Sequence, residues 1–167
     1  MSALEATLHE IEQHADAAGW DRPPQLFALV DTATLLAAES GLAERLGLPD
    51  DAMGYTPVEQ EALPDRPLDE ALAGIMWPDG VLGCALVHEV LVLPPDAEQA
   101  RPLGADADRW AREHPDRREV RLAVAVLADG TSASAVRLRA PQDRPDELLY
   151  GQDLAPHLRD ALLGTLR

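Results

Sequence analysis

The run from Val81 to Leu93 sets the strongest constraint on what this chain can fold into. It is apolar at both parities of an extended strand, with only His88 and Glu89 departing from the pattern. Successive strand side chains point to opposite faces, so a strand of this kind belongs in the middle of a sheet rather than at its edge. Pro94-Pro95 then stops it, because proline brings no donor to a ladder.

The remaining elements are read around that strand. Ser2 and Glu5 have the spacing of a capping box. Leu4, Leu8, Ile11, Ala15 and Ala18 follow on one helical face, which predicts a helix over 3–18 ending at Gly19. Trp20-Asp21-Arg22-Pro23-Pro24 is a stiff connector into a second apolar strand, Leu26 to Val30. Thr32 to Ala38 predicts a helix. A second helical piece follows, capped by Ser40, carrying Leu42 and Leu46 and ending at Gly47. Residues 48–67 are rich in Pro and Asp and predict a loop; within it Thr56-Pro57-Val58-Glu59 has the form of another capping box and predicts one helical turn. Leu68 to Ile75 predicts a short helix, and Trp77-Pro78-Asp79-Gly80 a turn. A further helix is expected from Ala105 to His114, carrying Trp110. The last helix is expected to be capped by Asp153, with Pro156 in its first turn.

Glu119 to Arg139 predicts a hairpin whose loop length follows from parity. Val120, Leu122, Val124 and Val126 share one face, and Ser134, Val136 and Leu138 share one face of the return strand. A two-residue Asp129-Gly130 loop would oppose Leu122 to Arg137. A three-residue loop, Ala128-Asp129-Gly130, opposes Leu122 to Val136 and Val120 to Leu138, with Gly130 left-handed. The expected architecture is one α+β domain over 1–167. Its four-stranded mixed or antiparallel sheet carries the N- and C-terminal helices packed mainly on one face.

Composition narrows the function. The chain has 30 acidic and 14 basic residues, a formal charge of −16, and every basic residue is Arg. A field of this sign repels nucleic-acid phosphates and anionic lipid surfaces, so neither is expected as a partner. No charged-then-apolar leader and no membrane-length apolar run are read, which gives the expectation of a cytoplasmic protein. One cysteine, Cys84, cannot form an internal disulfide, and its apolar surroundings predict an inert core thiol.

Several groups of residues are candidates for chemistry. His9 and His14 lie among Glu5, Glu10, Glu12 and Asp16, but residues five apart on a helix are ~140° apart round its axis. A solvated helix face is expected there and no metal. His88 and Glu89 project from opposite faces of their strand, so they cannot act as a pair. Glu89 among apolar neighbours calls for a partner, with Arg121 or Arg137 as candidates. Arg109, Arg112, Arg117, Arg118 and Arg121 form the one basic stretch; interleaved acids predict a salt-bridged helix face, with an anion site or acidic partner as the alternative. Trp20 and Trp77 each precede a turn feeding a buried strand. With Asp21, Arg22 and Asp79 they could line one pocket if the two strands run parallel, and would lie at opposite ends if antiparallel; separate packing of each Trp at the core edge is the default reading. No phosphate loop, nucleophile elbow, paired-cysteine motif or zinc-protease motif is read.

The stretches Gly19-Trp20-Asp21-Arg22-Pro23-Pro24-Gln25-Leu26-Phe27-Ala28-Leu29-Val30, Thr56-Pro57-Val58-Glu59-Gln60-Glu61, Trp77-Pro78-Asp79-Gly80, Leu93-Pro94-Pro95-Asp96-Ala97-Glu98 and Gly151-Gln152-Asp153-Leu154 resemble an uncharacterised family of short actinobacterial conserved proteins. The resemblance spans nearly the whole chain and implies a cytoplasmic actinobacterial source; it brings no catalytic residues. The expected function is a non-catalytic binding or adaptor protein for a protein partner or small ligand, with no cofactor and with a homodimer as one form. Candidate binding residues are Trp20, Asp21, Arg22, Trp77, Asp79 and Glu89. The alternative is a small enzyme whose site assembles from Glu89, His88, Arg121 and the Trp20 and Trp77 turns.

Overall fold

The structure is a computed structural model describing residues 2–39, 41–49, 52–93, 96, 99–100, 102, 104, 106–140, 144–151 and 153–167. Its elements run α1 (Ala3–Ala18), β1 (Gln25–Asp31), α2 (Thr32–Ala38), α3 (Leu42–Leu46), β2 (Tyr55–Glu59), α4 (Leu68–Ala73), β3 (Val81–Val92), α5 (Asp106–Glu113), β4 (Arg118–Leu127), β5 (Ser132–Leu138), β6 (Glu147–Gly151) and α6 (Pro156–Thr165). All strand pairs are antiparallel, and the sheet order is β2-β1-β3-β4-β5-β6. Strand β3 is central, as its two apolar faces require.

The sheet has six strands among the described residues, not the expected four. Thr56-Pro57-Val58-Glu59 forms edge strand β2 rather than a helical turn. It pairs Thr56 with Val30, Pro57 with Leu29 and Glu59 with Phe27, and the Thr56 and Thr32 hydroxyls lie 2.8 Å apart. The capping-box letters were satisfied by a ladder instead of a helix start, and an edge tolerates the proline. Strand β6 pairs with β5 through Leu149 opposite Val136 and Leu148 opposite Arg137.

The helices cover both faces rather than mainly one. On one side α1 lays Leu4, Leu8, Ile11 and Ala15 against Phe27, Leu29, Ala85, Val87, Ala123, Ala125, Ala133 and Ala135. The floor beneath α1 is largely alanine, so the bulky helical side chains fill the interlayer space. Full burial of each Leu or Ile stabilises by about 1.5–3 kcal/mol. The opposite parity, Leu26, Cys84, Leu86, Val124 and Val126, meets Leu72 of α4 and Leu162 of α6. Helix α5 packs Ala111 and Trp110 on Leu91 and Leu93 at the end of β3.

The Ser2 capping box is present in both directions: the Glu5 amide donates to Ser2 Oγ at 3.1 Å and the Ser2 amide to Glu5 Oε2 at 3.0 Å. The hairpin has the expected register, Leu122 opposite Val136 and Val120 opposite Leu138. Gly130 has φ 95°, in the left-handed region, and the Leu127 amide donates to Thr131 O at 2.8 Å across the three-residue loop. Gly83 is the one strand glycine demanded by close approach, since a Cβ there would stand 2.2 Å from Val126 O.

Two helix starts differ from expectation. Helix α6 begins at Pro156 after Ala155, with no side-chain cap, while Asp153 pairs with Arg159 instead. Helix α3 follows Gly41; Ser40 and Ala105 lie outside the described residues.

Candidate functional site

Helix α1 carries no basic residue in its last turn, so the sheet supplies the cations. Arg121 of β4 is 2% exposed. It donates to Gly19 O at 2.8 Å and to Asp16 Oδ1 at 3.2 Å, at the negative end of the helix dipole. The same guanidinium carbon lies 4.3 Å from the centre of the Trp20 ring, and that of Arg139 lies 5.3 Å from it, both within cation–π reach. The Trp20 indole donates to Asp146 Oδ2 at 3.1 Å, and Asp146 Oδ1 accepts from the Ala140 amide at 2.8 Å.

Arg137 of β5 grips α1 one turn earlier. It donates to Glu12 Oε1 at 2.5 Å and to Oε2 at 2.8 Å, and its Nε lies 3.3 Å from Asp16 Oδ1. This planar two-bond pairing is the strong form of the Arg–carboxylate contact. The Glu12 side chain is 1% exposed. The acidic face of α1 is therefore not a solvated one at Glu12 and Asp16. His9 stays exposed and meets the Tyr150 hydroxyl of β6.

Glu89 stands opposite Arg121 in the β3–β4 ladder, yet its described partners are backbone. Its carboxylate accepts from the Asp21 amide at 2.8 Å and the Arg22 amide at 3.1 Å. Asp21 has φ 67°, a left-handed conformation that Asp tolerates better than most residues. Two accepted amides and the ion pair from Arg139 to Asp21 hold it there. Trp20, Asp21, Arg22 and Glu89 thus come together, as a clamp on the exit of α1.

Trp77 and Asp79 are elsewhere. β1 and β3 are antiparallel, with Gln25 opposite Val87 and Val30 opposite Val81. The two tryptophan-bearing turns therefore lie at opposite ends of the sheet and share no pocket. Trp77 donates to Thr165 Oγ1 at 2.9 Å and packs in the α4–α6 core, while Asp79 is exposed. Thr165 Oγ1 also lies 3.6 Å from Cys84 Sγ. Burial pushes the Cys84 thiol up to about 11 although the Thr165 hydroxyl opposes the rise. A thiolate nucleophile is thereby disfavoured.

His88 projects to the face opposite Glu89, and its Nδ1 is buried without a partner among the described residues. Burial holds the imidazole below its ordinary 6.5, with the Glu89 charge opposing the shift. The set Glu89, His88, Arg121, Trp20 and Trp77 does not converge on one cavity.

A cleft does open beside the Trp20 clamp. It is a wide, solvent-open cleft of about 800 Å³ where β4 begins, β5 ends and β6 begins. Arg117, Arg118, Arg139 and Arg144 line it, with Glu119, Glu147, Pro115, Leu138, Ala140 and Pro145. Arg139 is neutralised by Glu119 and Asp21. Arg117 donates to the His114 carbonyl at 2.9 Å, a neutral acceptor. Arg118 and Arg144 have no ion-pair partner among the described residues. Of the basic stretch read in the sequence, Arg109 pairs with Glu113 at 3.2 Å on α5 as a salt-bridged helix face, whereas Arg117 and Arg118 turn to the cleft. Arg144 was missed; it stands apart in sequence, and only the return of β6 beside β5 brings it there. Among the described residues no group of His, Cys, Asp or Glu could hold a metal ion, and no helix is long and apolar enough to cross a membrane.

Residues 4–167 match the family described as PPA1309-like protein. The chain belongs to that family. No curated protein and no solved structure matches it. The family match takes in both the clamp and the cleft, so Trp20, Glu89, Arg118, Arg121, Arg139 and Arg144 of this PPA1309-like protein all lie inside the matched region.

Proposed function

We propose that this chain is a non-catalytic binding or adaptor protein, acting in the cytoplasm of an actinobacterium on a small ligand or a protein partner, a second copy of itself included. The observation that carries the reading is a contrast within one end of the sheet. Around the clamp most charged groups are consumed internally, Glu89 on two amides, Asp21 on Arg139, Arg121 on the end of α1 and Arg137 on Glu12, while the Arg22 guanidinium is exposed. The arginines of the adjoining cleft keep open donors that a ligand would satisfy. The formal charge of −16 supports leaving nucleic acid and anionic membranes out of the partner list.

The test is affinity capture with the full chain from native cytoplasm, read for proteins and for metabolites. A stoichiometric bound species, unchanged on elution, is the expected result. A reproducible turnover that is lost in a folded Glu89→Gln variant would overturn the reading in favour of an enzyme.

A further inference from the structure

We propose that the arginine-lined cleft at the β4–β5–β6 end is a binding site for a small organic oxyanion, a phosphate or carboxylate carried on an apolar body. The inference rests on the binding reading above and gives it a ligand class. Four of the 14 basic residues line this cleft, and one of the four, Arg139, is already neutralised by its own carboxylates. Arg117, Arg118 and Arg144 then face Glu147 as the one lining acid outside the Arg139 pairing, which inverts the sign of the molecule locally. A guanidinium offers a planar fork of donors that matches the two oxygens of a carboxylate or phosphate.

The walls decide the rest of the ligand. Pro115, Leu138, Ala140 and Pro145 contribute apolar surface beside those donors. A bare inorganic anion would leave that surface wet, whereas an aromatic or aliphatic body covers it. The volume, about 800 Å³, falls in the range of small-molecule sites, roughly 300–1,000 Å³. A polyanion meets the opposite field as soon as it extends past the cleft, because the chain as a whole carries −16. Arg139 joins the cleft to the clamp: it touches Glu119 and Asp21 and lies by the Trp20 ring, so the cleft wall is fixed to the exit of α1.

The experiment is a calorimetric titration of the full chain with phenyl phosphate, phenylacetate, inorganic phosphate and an acidic octapeptide at fixed ionic strength. Saturable binding of phenyl phosphate or phenylacetate is expected, tighter than that of inorganic phosphate; their ranking tells phosphate from carboxylate. The double variant Arg118→Ala/Arg144→Ala should weaken it by on the order of tenfold or more, since each guanidinium removed takes charge-assisted hydrogen bonds with it. Arg66→Ala, an exposed arginine outside the cleft, should leave it unchanged. Equal loss in Arg66→Ala, or no loss in a folded double variant, overturns the cleft assignment while the binding reading stands. Tighter binding of the octapeptide overturns the small-ligand class. No saturable binding by any probe, together with an empty capture experiment, overturns both.

Discussion

His88 shows at the scale of one residue how the central strand sets a chemical property. The strand is apolar at both parities, so a histidine in it loses water whichever way it points. Desolvation disfavours the charged ring and lowers its pKa in the folded state, with the Glu89 charge opposing. The unfolded chain then binds a proton at His88 more readily than the folded one. Stability from this group is complete above about pH 6.5 and falls as the pH drops from there toward the lower folded value. Urea unfolding in steps from pH 7.5 to 5 should show a fall in midpoint, and His88→Leu should flatten it. Parallel curves for the two proteins would mean that His88 takes up its proton equally in the folded and unfolded states, and would overturn the desolvation argument. Glu89 makes the complementary point. The sequence marked it as a carboxylate needing a partner, and that need is real. The partners are two amides of the turn after α1 rather than an arginine. Which loop folds over a strand end is a tertiary matter, and no local pattern around Glu89 encodes it.

At the scale of elements, α1 is held to the sheet by a buried ion pair as well as by its leucines. The signal for Glu12 was in the helical spacing: it lies four residues after Leu8 and so falls in the apolar stripe. Acidic neighbours on the helix hid it, because an acid beside other acids reads as solvated face. Breaking such a pair leaves an uncompensated buried charge, at a cost of about 3–5 kcal/mol. Arg137→Ala, which leaves the buried Glu12 carboxylate without a cation among the described residues, should therefore lower the unfolding free energy by that order, measured by urea denaturation; Glu12→Ala should cost less, because Arg137 keeps Asp16 at 3.3 Å. A joint Glu12→Leu/Arg137→Leu replacement should lose less than Arg137→Ala, because no buried charge is left alone. If the double variant is the weaker, specific pairing rather than charge burial dominates. The same scale separates the elements that could be read from those that could not. β1, β3 and the β4–β5 hairpin have apolar runs or alternation long enough to fix their type, and parity even fixed the loop. β2 and β6 are short edge strands with half-exposed residues, so little burial pattern reaches their sequence. With β6 unread, Arg144 had no reason to join Arg117 and Arg118. The cleft was legible in the basic stretch after α5 and illegible on its far wall.

At the scale of the whole molecule the charge of −16 and the internal pairing oppose each other in salt. Net repulsion between exposed acids acts over the Debye length, about 30 Å at 0.01 M ionic strength and about 10 Å at 0.1 M. At the lower value it spans much of a domain of this size; at the higher it is cut to near neighbours. Salt also weakens attraction in exposed pairs such as Arg159–Asp153 and Arg109–Glu113, but exposed pairs contribute only about 0–1 kcal/mol each. The pairs that hold α1, Arg137–Glu12 and Arg121–Asp16, have at least one partner almost fully buried and are screened far less. Relief of repulsion should therefore win, and the urea midpoint at pH 7.5 should rise as NaCl goes from about 0.01 to 0.2 M. A double variant that removes two exposed acids with no ion pair among the described residues, Glu61→Gln/Asp65→Asn, should raise the low-salt midpoint and reduce the salt dependence. A midpoint that falls with salt would place the dominant electrostatic term in the exposed ion pairs, and the acidic surface would then be stabilised by its arginines rather than strained by their shortage.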